Sequence, residues 1–89
     1  MKLKHICVYG RVQGVGFRFY TEKIAKALDI EGTVENVEDF VEIYAQGPET
    51  QLNNFIERIV KGPSPMSKVD TYTIDELPPD ESIKGFWTK

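Results

Sequence analysis

The sequence predicts an α+β sandwich in the order strand, helix, strand, strand, helix, strand. The sheet is expected to be antiparallel, with both helices on one face. Three observations lead there. Alternating apolar and polar residues recur in several short runs. Two other segments carry apolar residues at three- and four-residue steps, the spacing of a helix face. Glycine and proline mark junctions near Gly10, Gly47 and Gly62. The 89 residues allow one domain, 1–89, with one modest core.

Lys4 to Gly10 reads as the first strand. Ile6 and Val8 fall on the core face, with His5, Cys7 and Tyr9 on the other. Phe17, Tyr20, Ile24, Ala27 and Leu28 then form the stripe of a helix ending near Asp29, with Glu22, Lys23 and Lys26 toward solvent. Glu31 to Asn36 is the second strand and Val41 to Gln46 the third. Between them, Val37-Glu38-Asp39-Phe40 leaves room only for a tight hairpin. Gly47-Pro48-Glu49 starts a second helix, with proline at its beginning and an acid in its first turn. Leu52, Phe55, Ile56 and Ile59 are its apolar face. Gly62 ends it, and Pro63-Ser64-Pro65 bars continuation. Val69 to Ile74 is the fourth strand, Leu77 to Asp80 an irregular connector, and Gly85 to Lys89 a short final strand or edge segment.

Composition narrows the class. Apolar content of 40% and charged content of 28% suit an ordinary globular protein. Apolar runs are too short to span a membrane. Met1-Lys2-Leu3-Lys4-His5 contains no apolar signal core. Cys7 is the only cysteine, so an intramolecular disulfide is impossible, and a cytoplasmic home is the simplest expectation. A net charge of −3 argues against general nucleic-acid affinity. Any anion site must therefore rest on local positive groups. A chain acting alone is expected, with no cofactor. One histidine, one cysteine and scattered carboxylates show no metal-ligand spacing, so no metal site is expected either.

The stretch that carries chemistry is Gly10-Arg11-Val12-Gln13-Gly14-Val15-Gly16-Phe17-Arg18. Its glycines sit between a strand and a helix, where backbone can adopt positive φ and approach a ligand closely. N–H groups converging at a helix N-terminus bind anions, and Arg18 adds a planar cationic fork. A phosphate cradle formed by Gly14, Val15, Gly16, Phe17 and Arg18 is one reading. A tight strand-to-helix connector with no ligand is the other, and the residues alone leave both open. Two familiar phosphate loops are excluded. Lys61-Gly62 reverses the Gly-Lys order of a nucleotide-triphosphate loop, and Phe19 occupies the third glycine position of the dinucleotide fingerprint. His5 could serve as a general base, but nothing in the sequence places a nucleophile beside it, so a half-exposed strand histidine is the preferred reading.

The stretch from Gly10 to Arg18 closely resembles the signature of the acylphosphatase family. A second family element, Gly-x-Val-x-Asn, stands as Gly32-Thr33-Val34-Glu35-Asn36. The resemblance covers nearly the whole chain, with one departure. Many members carry an Asp-Gly turn where this chain has Asp39-Phe40, in a segment one residue shorter. The resemblance implies a ferredoxin-like βαββαβ fold and hydrolysis of acyl phosphates to a carboxylate and inorganic phosphate. It further implies that Arg18 binds phosphate and that Asn36 positions the attacking water. Arg11 belongs to the same motif and is read as structural or long-range electrostatic support.

The chemistry suits these residues. An acyl phosphate is a mixed anhydride whose carboxylate leaves unprotonated, so neither a general acid nor a metal is strictly needed. Two other classes share the element order or the domain. An RNA-binding sheet would need aromatic and basic residues on its open face, where this chain places Tyr9 and Tyr44 but also Glu35 and Glu42. A non-catalytic anion-sensing domain would keep the cradle without turnover.

Overall fold

The computed structural model describes residues 1–89. Its elements are β1 (Lys2–Arg11), α1 (Phe17–Ala27), β2 (Glu31–Val37), β3 (Phe40–Gly47), α2 (Glu49–Val60), β4 (Lys68–Leu77) and β5 (Phe86–Thr88). The sheet order is β4-β1-β3-β2-β5. β1 lies at the centre of β3 and β4, antiparallel to both, and β2 pairs antiparallel with β3. β5 adds to the outer edge of β2 in parallel, so the five-stranded sheet is mixed. This is the ferredoxin-like α+β arrangement expected from the sequence, extended by one short edge strand.

Alternation decides which face each strand buries. Ile6 and Val8 of β1, Val34 of β2, and Val41, Ile43 and Ala45 of β3 meet Phe17, Ile24 and Ala25 of α1 and Leu52, Phe55 and Ile59 of α2 in one core. Phe86 of β5 closes the core edge-on to Phe55, with ring centroids 6.0 Å apart. The α1 stripe differs from the expected one at three places. Thr21 and Ala25 are buried, whereas Ala27 is exposed. The true seam follows steps of four, three and four through Phe17, Thr21, Ile24 and the half-buried Leu28, which leaves Ala27 on the solvent side.

Two boundaries also move. β4 extends to Leu77, which pairs with Leu3, so the connector begins one residue later than expected. The hairpin between β2 and β3 has two turn residues, Glu38 and Asp39, closed by the Val37–Phe40 pair. Glu38 takes φ 52°, a left-handed conformation that usually selects glycine or asparagine. The shortened turn thus places its left-handed residue at Glu38, before Asp39, and does so without a glycine.

Candidate active site

Loop 12–16 leaves the end of β1 and delivers the chain to α1. Val12 turns inward and is buried at 1% exposure, anchoring the loop to the core. Gly14 and Gly16 both take left-handed backbone, at φ 73° and 78°, and Gly16 is the N-cap residue of α1. No side chain caps this helix, and its first turn contains no acid. The first helical bond runs from Tyr20 N–H to Gly16 O at 3.1 Å. The N–H groups of Phe17, Arg18 and Phe19 therefore have no partner inside the helix. They point outward with the positive end of the helix dipole behind them.

A cavity of about 190 Å³ opens at this point. Its walls are Val12, Gln13, Gly14, Gly16, Phe17, Arg18, Phe19 and Asn36. Asn36 arrives from β2 by alternation. It follows Val34 by two residues, on the same face, one step beyond the core. Val34 is fully buried and Asn36 exposed, so the carboxamide sits at the mouth of the cavity. The expected site residues Gly14, Gly16, Phe17, Arg18 and Asn36 thus share one concavity, although they come from two separate sequence elements. Val15 does not line it, and packs instead against the core.

Two contacts that sequence reasoning did not supply hold this geometry. Gln13 donates from Nε2 to the carbonyls of Glu38, at 3.0 Å, and Phe40, at 2.9 Å. The loop is thereby stitched to the hairpin that carries Asn36. Arg18 donates from Nη1 to the Lys89 carbonyl at 2.7 Å. One of five guanidinium N–H donors is spent there, leaving a fork for an anion. Lys89 is itself fixed by its N–H to Val34 O at 2.9 Å, and the Thr88 hydroxyl donates to Glu22 of α1. That hydrogen bond, with Lys26 adding to it, holds the Glu22 carboxyl below its ordinary value of 4.5. Gln13 was visible in the signature but its role was not. Lys89 acts through its backbone, which no side-chain pattern reveals.

The cavity walls include no histidine, cysteine, aspartate or glutamate, so this concavity offers a metal no ordinary ligand. On the opposite sheet face the fold does gather His5, Cys7 and Glu42, which the sequence spacing did not group.

This arrangement defines an α+β sandwich with an uncapped helix N-terminus that opens on a cavity and an arginine beside it. The sequence model of the acylphosphatase family matches residues 4–88. An acylphosphatase from Staphylococcus aureus strain Newman is 45% identical over 86 residues, spanning 97% of each chain. A solved acylphosphatase from Bacillus subtilis superposes with a TM-score of 0.94 at 40% identity, covering 100% of this chain and 99% of that one. An acylphosphatase structure from Coxiella burnetii gives 0.88 at 31% identity, covering 99% and 92%. The chain belongs to the acylphosphatase family and is an enzyme of that kind.

Proposed function

We propose that the protein hydrolyses the carboxyl-phosphate bond of small acyl phosphates without a metal ion, using the α1 cradle and Asn36. The phosphoryl oxygens are held by Arg18 and by N–H groups of Gly14, Gly16, Phe17 and Arg18, all of which line the cavity. They carry negative charge throughout, and preorganised donors stabilise that charge best where it grows in the transition state. Asn36 can both accept from and donate to a water, enough to orient it in line with the departing carboxylate. The acid of the leaving group has a pKa near 4, so it departs as an anion. Phosphate is released from the same cradle.

One observation carries this reading. Arg18, Asn36 and the unpartnered N–H groups of α1 line a single cavity that contains no carboxylate to repel an anion. The phosphate-binding and water-positioning groups therefore face one volume. The substrate we infer is a small molecule, and the setting cytoplasmic; no helix of the chain is long and apolar enough to cross a membrane. Nucleic acid fits the open sheet face poorly, because Glu35, Glu42 and Asp75 lie there. The chain is proposed to act as a monomer.

The direct test is hydrolysis of benzoyl phosphate by the purified chain, before and after exhaustive chelation. Turnover unchanged by chelation is the expected result. Absence of turnover would refute hydrolysis, and a loss restored by Mg²⁺ or Zn²⁺ would refute the metal-free mechanism.

A further inference from the structure

The open face of the sheet holds a second polar constellation, facing away from the helices and the cradle. His5 and Cys7 both point to it from β1, two residues apart, and Glu42 is the cross-strand partner of Cys7 on β3. His5 Nε2 lies 2.9 Å from Glu42 Oε2 and 3.8 Å from Cys7 Sγ. The three donor atoms all fall within 4.8 Å of one another. Ligand atoms around a tetrahedral zinc are about 3.3–3.7 Å apart, given bonds of about 2.0–2.3 Å. Small side-chain rotations separate the two sets. Tyr44, the partner of His5 across the ladder, stacks on the imidazole at 4.6 Å and 30°, which fixes the ring plane.

The charge around this trio points the same way. The cross-strand row through Cys7 reads Thr73, Cys7, Glu42, Glu35, and the row through His5 reads Asp75, His5, Tyr44, Thr33. Those rows contain three carboxylates and no lysine or arginine. Glu35 and Glu42 stand directly opposite each other, a pairing that destabilises a ladder unless a cation intervenes. Cys7 is 8% exposed, so its sulfur is shielded, while the His5 and Glu42 side chains are each about a quarter exposed and leave a path from solvent.

We propose that His5 Nε2, Cys7 Sγ and Glu42 Oε2 form a binding site for one divalent transition ion of the zinc class. A thiolate and a carboxylate balance the two positive charges, and the imidazole binds neutral with its proton on Nδ1. Binding releases the Cys7 thiol proton to solvent, and water takes the fourth position on the open side. A sulfur and an imidazole nitrogen favour zinc-like ions over magnesium or calcium, which prefer all-oxygen sets. The ion bridges β1 to β3 on the face opposite the cradle, so its effect is on stability rather than on turnover.

Titration of the reduced full chain with Co²⁺ tests this. One equivalent should produce a thiolate-to-cobalt charge-transfer band, removed by one equivalent of Zn²⁺ and untouched by excess Mg²⁺. Cys7→Ser should abolish the band. Because Cys7 is buried, Glu42→Gln provides a second, more exposed probe. Its Zn²⁺ affinity should fall at least tenfold while the metal-free variant keeps wild-type turnover. Zn²⁺ should also raise the melting temperature of the wild-type chain and not of Cys7→Ser. Absence of the charge-transfer band at equimolar cobalt would overturn the site, as would unchanged zinc affinity in Glu42→Gln.

Discussion

The two helices begin in opposite ways. α2 starts after Pro48, and Glu49 occupies its first turn, paired with Lys2 Nζ at 3.1 Å. The positive end of that dipole is met by the chain's own carboxylate. α1 starts at Gly16 with no acid in its first turn and no side-chain cap, and it carries Arg18 instead. Its N-terminus gathers positive potential without discharging it. Neither helix start has a side-chain cap; the difference is that α2 sets its own carboxylate against the dipole and α1 sets none. The difference lies in a few residues, and under the proposed function it separates a structural helix start from a binding one.

The sharpest way to break this contrast is to remove the charge from α1. Arg18→Gln keeps a polar side chain but loses the cation and its fork. Turnover of an acyl phosphate should fall by roughly 10³-fold, with phosphate affinity falling as well, because the group is engaged before and during reaction. Steady-state kinetics and calorimetry on one preparation measure both. Asn36→Ala should act differently. Under the proposed function it removes a contact to water and not to phosphate, so kcat should drop by roughly 10² while phosphate Kd stays within about twofold. Full kcat in Asn36→Ala would mean that the hairpin aims the side chain away from the reacting water.

Gln13 supports both walls without facing the chemistry as a charge. Gln13→Ala frees the hairpin carbonyls of Glu38 and Phe40 to solvent. We expect kcat to fall by about 10-fold, the scale at which misplacement outweighs direct loss, with the effect on Kd smaller. Restoration by Gln13→Asn would mean that reach across to the hairpin does not matter.

The smallest effect concerns the strap of β5. Glu22 has a lowered carboxyl pKa in the folded chain, chiefly through the Thr88 hydroxyl. A lowered folded-state value adds stability that is complete above the ordinary 4.5 and is lost as pH falls through the folded value. Below about pH 4.5 the wild-type chain should therefore lose part of its stability advantage over Glu22→Gln. Chemical denaturation at pH 6 and pH 3 measures it. A difference between the two proteins that does not shrink on acidification would remove the Glu22–Thr88 tie from the account.

Much of this was legible from particular residues. Ile6, Val8, Val41 and Ile43 alternate cleanly and are all fully buried. Leu52, Phe55 and Ile59 repeat at helical steps and are buried too. Gly16 was readable because its backbone takes positive φ, and the place of Arg18 beside it followed from their spacing at the helix start. Other features depend on partners distant in sequence. The parallel pairing of β5 to β2 follows from where the chain returns, not from residues 86–88 alone. The Lys89 carbonyl has no side-chain signal. Gly32 belongs to the second motif, but its reason is packing. A Cβ there would lie 1.7 Å from the Tyr44 carbonyl oxygen, so the strand needs glycine whatever the site requires. His5, Cys7 and Glu42 met only when β1 and β3 paired.

The central claim is that the N-terminus of α1, unlike that of α2, is an anion site. Backbone amide shifts during titration with inorganic phosphate test it most directly. The account predicts saturable shifts centred on Gly14 to Arg18, none at Glu49 to Leu52, and their loss in Arg18→Gln. Shifts of equal size at both helix starts, or shifts at Gly14 to Arg18 that persist in Arg18→Gln, would contradict it.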